Sequence, residues 1–324
     1  MQSPNAAASA KTVSAARAVT LRTADFQREL KNFEPQVANY QWMWKVLKSR
    51  SRAIGGWFPH KVHAVLRRFG NPRKPYFICQ FSNGLKYLGD YRDVNSMSYA
   101  LDAMDTEDPL HELRSLLEGR SGAFVDIGAN LGLYSAAMAR AFPEKSVYAF
   151  EPVPATVRRA AATFALNKLN NVTLIGAAAG DADGEIVFYD APGCSEYASA
   201  IPSDQPINVQ WKEIRVPCLR LDTLAPELGI EEIALLKIDA EGYEPKVIAG
   251  AEALIRKTLP NIVYEYNDSV APKAGWTASD VAIQIQRMGG YRFYQLRENG
   301  ERLPFNPPQE LSGLLNVFCQ SVPA

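Results

Sequence analysis

An α/β protein is predicted, with a mostly parallel sheet covered by helices on both faces. Three observations carry that expectation. From Gly122 onward, short apolar runs alternate with stretches of helical spacing. Runs such as "AFVDIG", "VYAFEP" and "EIALLKIDAEG" are almost continuously apolar. Strands buried on both faces read that way. A small-residue turn, Gly128-Ala129-Asn130-Leu131-Gly132, joins the first run to the first helix. In such sheets ligands lie beyond the carboxyl ends of the strands, where this turn falls.

The chain of 324 residues can hold one large domain or two modest ones. Its 47% hydrophobic and 22% charged content is that of a soluble globular protein. Lys+Arg and Asp+Glu both number 35, so overall charge selects no anionic or cationic partner. Cys79, Cys194, Cys218 and Cys319 are far apart and form no CxxC pair. A zinc site or disulfide framework is therefore not expected, and a reducing, cytoplasmic setting fits. No run approaches the ~18 apolar residues that a membrane span requires.

In chain order, residues 1–23, Ala- and Ser-rich without an acidic residue, read as a disordered tail, with a transit peptide the other reading. Residues 24–108 read as a helical and hairpin extension, and 109–324 as the main domain. Between Glu34 and Asp90 there is no acidic residue. That interval holds Lys45, Lys48, Arg50, Arg52 and other basic residues, with Trp42, Trp44 and Trp57. A basic, Trp-rich segment over 42–74 suits either an appendage packed on the main domain or peripheral contact with a membrane surface. "YFICQFSNGLKYL" reads as a hairpin around Ser-Asn-Gly. "PLHELRSLLE" has helical spacing.

Then follow the strand "AFVDIG", a helix over 133–141, the strand "VYAFEP", a helix over 155–168 and the strand "NVTLIGAAAG". "GEIVFYD" and "EIRVPCLRL" read as an antiparallel insertion. "EIALLKIDAEG" is a fourth strand, 244–257 a helix, and "NIVYEYN" a fifth strand. A helix over 278–288 and the strands "YRFYQLR" and "LLNVFCQ" complete the order.

Asp126, Glu151 and Asp239 all fall at predicted strand ends and are expected to face one crevice. The turn lacks the G-x-G-x-x-G of a dinucleotide site, and Asp126 would repel a pyrophosphate. A ligand bearing an ammonium and a sulfonium would be attracted, which points to S-adenosylmethionine. Its carboxylate is expected on the free N–H groups of the turn and helix start, around Gly128, Asn130 and Gly132. Glu151, 25 positions after Asp126, is placed to accept both ribose hydroxyls, and Asp181 to accept from the adenine amino group. Lys237 and Asp239 share one side of a strand by period-two alternation, and Glu241 follows in the loop. These three are the candidates for handling the methyl acceptor, with a base role for Asp239 or Glu241 and a Lys237–Asp239 pair as the structural alternative. Glu265 is similarly placed at the end of the fifth strand. No metal ligand set is assigned, and a divalent metal is the less favoured way to activate the acceptor.

The blocks "DIGANLGLYS", "FEPVP", "NKLNNVTLIGAAAGDADGEIVF", "RLDTL", "LLKIDAEGYEPKVIAGAEALI" and "PNIVYEY" resemble, in order and spacing, those of FkbM-type methyltransferases. The resemblance covers about Gly122 to Asn267 and does not reach the first 70 residues. It implies a class I methyltransferase fold, Rossmann-like, with a seven-stranded mostly parallel sheet. It also implies S-adenosylmethionine as methyl donor and O-methylation of a small-molecule or glycan hydroxyl. An NAD-linked oxidoreductase and a non-catalytic S-adenosylmethionine-binding protein are the rival readings. A nucleic-acid acceptor is not expected, because the Asn-Pro-Pro-Tyr type of motif is lacking after the fourth strand and "FNPPQE" falls too late.

Overall fold

The structure is a computed structural model that describes residues 18–38, 70–105, 111–201, 211–297, 300–307 and 311–322. Trp42, Trp44 and Trp57, and most of the basic segment 42–74, lie outside the described residues. Among the described residues no helix is long and apolar enough to cross a membrane.

The elements run β1 (Val19–Leu21), α1 (Thr23–Phe33), β2 (Tyr76–Gln80), β3 (Lys86–Asp90), α2 (Val94–Asp105) and α3 (His111–Leu117). Next come β4 (Ala123–Ile127), α4 (Leu133–Ala141), β5 (Val147–Phe150), α5 (Pro154–Leu166), β6 (Val172–Gly176) and β7 (Ala178–Ala179). β8 (Gly184–Asp190) and β9 (Lys212–Leu219) precede α6 (Leu221–Leu228), β10 (Ile233–Ile238), α7 (Glu244–Gly250), α8 (Glu252–Thr258) and β11 (Asn261–Asn267). The chain ends with α9 (Ala278–Gln286), β12 (Tyr291–Leu296), β13 (Arg302–Phe305) and β14 (Leu314–Ser321).

The main sheet has nine strands in the order β1-β6-β5-β4-β10-β11-β14-β12-β13. Seven of these form the expected sheet, and β1 and β13 add one strand at each edge. β6, β5, β4, β10 and β11 pair in parallel, and β14 runs antiparallel to β11 and β12. Every residue of β4, β5 and β10 is buried, as helices on both faces require. Two apolar cores result, one on each face of the sheet.

Two expectations change. Val19–Leu21, assigned to the tail, forms a strand that pairs antiparallel with β6. The helix expected over 244–257 is broken at Ala251 into α7 and α8. The insertion strands β8 and β9 pair antiparallel as expected, in a separate sheet with β7. The extension also shares the core of the main domain: Phe26, Phe77 and Tyr87 are fully buried in the same cluster as Phe124 and Phe164. The Phe26 and Phe164 rings meet edge-on at 5.3 Å.

Candidate functional site

The strand order reverses between β4 and β10, since β5 and β6 extend to one side and β11 to the other. A cleft of about 360 Å³ opens at that switch point. The turn after β4 forms its edge. Gly128 has φ +77°, and a Cβ there would stand 1.8 Å from the Asp239 carbonyl oxygen, so only glycine lets the two strand ends approach. Gly132 acts away from the cleft: its Cβ would meet the Phe164 ring at 2.6 Å. The turn keeps its own N–H groups. Gly128 and Ala129 donate to the Phe150 carbonyl, Gly132 to the Ala129 carbonyl, and Asn130 to Glu151 Oε2 at 3.0 Å. Those donors are not free for a ligand carboxylate, contrary to expectation. The turn spends them on holding β4 against β5.

Asp126 does not face the cleft either. It is 0% exposed, accepts a hydrogen bond from Ser135 Oγ at 2.7 Å, and has Oδ1 3.3 Å from Lys237 Nζ. The cause is register: Lys237 of β10 pairs directly with Asp126 of β4. Lys237 also stands 3.2 Å from Asp239 Oδ2 and 4.8 Å above the Tyr134 ring centroid. Burial pulls the Lys237 ammonium down, but the charges of Asp239 and Asp126 outweigh it and hold the group above its ordinary range. Lys237 is thus a fixed cation joining a buried carboxylate to one at the cleft, where pairing alone had been the alternative reading.

Glu151 lies at the end of β5 and borders the cleft. Its Oε1 accepts from Val153 N at 2.8 Å and its Oε2 from Asn130 N. Burial pushes its carboxyl up to about 7, against the lowering effect of those two N–H groups. Asp181 lies outside the cleft and pairs with Lys246 Nζ at 2.6 Å. The backbone from Ala177 to Ala179, with Pro152 and Phe188, borders the cleft in its place.

Asp239, Glu241 and Glu265 come together. One carboxylate oxygen from each lies within 4.8 Å of the others. Register again explains part of this, because Ile238 pairs with Tyr264, so Asp239 and Glu265 follow at the next rung. Glu241 sits at φ +49° in the loop after β10. That loop is braced from several elements. Ser199 Oγ donates to the Glu241 carbonyl at 2.7 Å and Trp276 Nε1 to the Gly242 carbonyl at 2.9 Å. Glu244 Oε1 accepts from Ala240 N and Gly242 N. The charge of Asp239, then burial, pushes Glu265 up to about 8, with Lys237 opposing. Burial first, then Asp239, Glu265, Glu244 and Glu196, push Glu241 well above the usual carboxylate range.

Part of the cleft lining was not expected from the sequence. Asn95 and Tyr99 come from α2, and Ser195, Glu196 and Tyr197 from a single 3₁₀ turn after β8. Asp93 ties these two segments together. It accepts from Ser195 N at 3.0 Å, Ser96 Oγ at 2.8 Å and Arg159 Nη1 at 2.9 Å. Burial would raise Asp93, but Arg159 and these donors hold it below its ordinary value. Tyr134, two residues beyond Gly132, could have been expected from its place in the first turn of α4. Tyr99 carries no such signal.

Among the described residues bordering the cleft there are five carboxylates, Glu151, Glu196, Asp239, Glu241 and Glu265, and one cation, Lys237. Such a lining, with one cation that is already paired, offers little to hold a pyrophosphate. The Glu151 carboxylate, already holding two N–H donors, keeps acceptor capacity for two hydroxyls.

Residues 126–293 match the Methyltransferase FkbM domain. Methyltransferase 1 of Beauveria bassiana is 32% identical over 164 residues, which are 45% of this chain and 64% of that protein. The 2-O-methyltransferase NoeI of Sinorhizobium fredii is 31% identical over 169 residues, 48% of this chain and 68% of its own. A methyltransferase FkbM structure from Methylobacillus flagellatus superposes with a TM-score of 0.37 and 18% identity, over 71% of this chain and 55% of that one. The chain therefore spans less than two thirds of the Beauveria and Methylobacillus proteins.

Proposed function

This chain belongs to the FkbM methyltransferase family, and from that premise we propose that it transfers a methyl group from S-adenosylmethionine to a hydroxyl oxygen of a sugar or a related small molecule. The observation that carries the reading is the acid-lined cleft at the switch point, with Glu151 at the end of β5. When bound, S-adenosylmethionine supplies a methyl carbon already activated by its positive sulfur. Glu151 accepts the two ribose hydroxyls on its remaining lone pairs. Pro152, Ala178 and Phe188 give an apolar seat for the adenine. Asp239, 30% exposed and bordering the cleft, accepts a hydrogen bond from the acceptor hydroxyl. It would take the proton that the hydroxyl loses on methylation. Lys237, clamped by Asp126, fixes where Asp239 stands, and alignment of oxygen, carbon and sulfur supplies much of the rate. Tyr99, Tyr134 and Tyr197, with Asn95 and Asn267, offer the mixture of ring faces and amides that suits a sugar. That one relative is a 2-O-methyltransferase supports oxygen as the acceptor atom.

Glu151→Ala is expected to weaken S-adenosylmethionine binding by ~1–3 kcal/mol, the cost of leaving polar partners unsatisfied. Titration calorimetry giving equal affinity for both proteins would remove Glu151 from the site. Protonation near pH 7 adds a second signature. If only the ionised carboxylate accepts the ribose, affinity should rise about tenfold between pH 6 and pH 8, and Glu151→Gln should lack that component. The sign for stability is opposite. The ligand-free fold binds the Glu151 proton more tightly than the unfolded chain does. The resulting stability is present below about pH 4.5 and is lost as pH rises through about 7.

A further inference from the structure

We infer that Asp239, Glu241 and Glu265 form a site for one hard divalent cation of the Mg2+, Mn2+ or Ca2+ class beside the cleft. The three carboxylate oxygens lie within 4.8 Å of one another, so a common point stands at most about 2.8 Å from each. Small side-chain adjustments bring that distance into the range of oxygen ligands of these ions. A donor set of carboxylates alone selects a hard ion over a thiophilic one.

A second observation is independent of the triplet. Glu244 is 2% exposed, and its Oε2 has no hydrogen-bond partner among the described residues. Glu244 borders the narrow recess that Glu241, Glu265 and Asn267 also border. A buried carboxylate oxygen without a donor is costly, and positive charge held by the neighbouring Glu241 and Glu265 would lessen that cost. The only cation bordering the cleft among the described residues, Lys237, is shared between Asp126 and Asp239, and Glu241 and Glu265 have no ion-pair partner among those residues. Asp239 and Glu265 border the cleft itself, which gives an ion there open coordination positions facing a ligand. For the methyl-transfer reading, on which this role rests, the ion would hold the acceptor oxygen and ease loss of its proton to a bordering carboxylate. Binding of the ion does not depend on that reading.

The test uses the full chain, freed of metals with chelator and without S-adenosylmethionine. MnCl2 is titrated and free Mn2+ is followed by electron paramagnetic resonance. One Mn2+ per chain is expected, displaced by excess Mg2+ or Ca2+. Asp239→Asn and Glu265→Gln should each weaken it at least tenfold, and exposed Glu144→Gln should leave it unchanged. Circular dichroism and S-adenosylmethionine affinity check that each variant is folded. Stoichiometric binding lost in both variants supports the site. Failure to bind Mn2+ above the level of nonspecific surface sites, or binding unchanged by both substitutions, overturns it. Chelator-treated protein that binds no Mn2+ yet transfers methyl groups at full rate rejects the metal site and leaves the methyltransferase reading intact. Mn2+ binding without S-adenosylmethionine binding does the reverse.

Discussion

Asp239→Asn is expected to lower turnover by ~10²–10⁴-fold while S-adenosylmethionine affinity stays within about twofold. The carboxylate borders the cleft, beside Lys237 and within reach of Glu241 and Glu265, whereas Glu151 lies at the end of a different strand. Asparagine keeps the shape and one acceptor oxygen but cannot take a proton or balance Lys237. Single-turnover methyl transfer and calorimetric cofactor titration on the same preparation separate the two effects. Retained turnover would move the base role to Glu241 or Glu265, and loss confined to cofactor binding would place Asp239 on the donor side. A product methylated on nitrogen or carbon would reject the oxygen assignment.

Lys237→Ala should cost ~3–5 kcal/mol of stability at neutral pH, the usual consequence of removing one partner of a buried ion pair. Asp126 is 0% exposed, and Lys237 is the cation that faces it at 3.3 Å. The remaining bond from Ser135 leaves a buried negative charge poorly compensated. Urea unfolding midpoints measure the loss. Adding Asp126→Asn should recover much of the deficit, because an amide leaves no unpaired charge buried there. A loss below about 1 kcal/mol would show that water reaches Asp126 once the lysine is gone, since burial of an unpaired charge is what makes the larger figure.

Residues within one segment were the most legible. The continuous apolar runs announced β4, β5 and β10 because a strand covered on both faces has no polar face to show. Gly128 was legible as a turn glycine, and Glu151 as an acid at a strand end. By itself, then, the sequence determined the α/β class, the strand and helix order of the central region, and the family blocks. All of these depend on local spacing and composition.

Relations between segments were decided only in the tertiary structure. Strands without alternation leave no mark of their register, and parallel neighbours are joined by crossovers that do not impose one. The register of β10 on β4 set Lys237 against Asp126 and withdrew that carboxylate from the cleft. The register of β10 on β11 brought Asp239 to Glu265. Asp181 satisfied itself with Lys246, 65 positions away, and Tyr99 reached the cleft through Asp93, which links α2 to a turn about a hundred residues later. Strand ends follow from a chain's local pattern, but which carboxylates share a cation, and which are left to meet a ligand, depends on packing energies summed over the whole sheet.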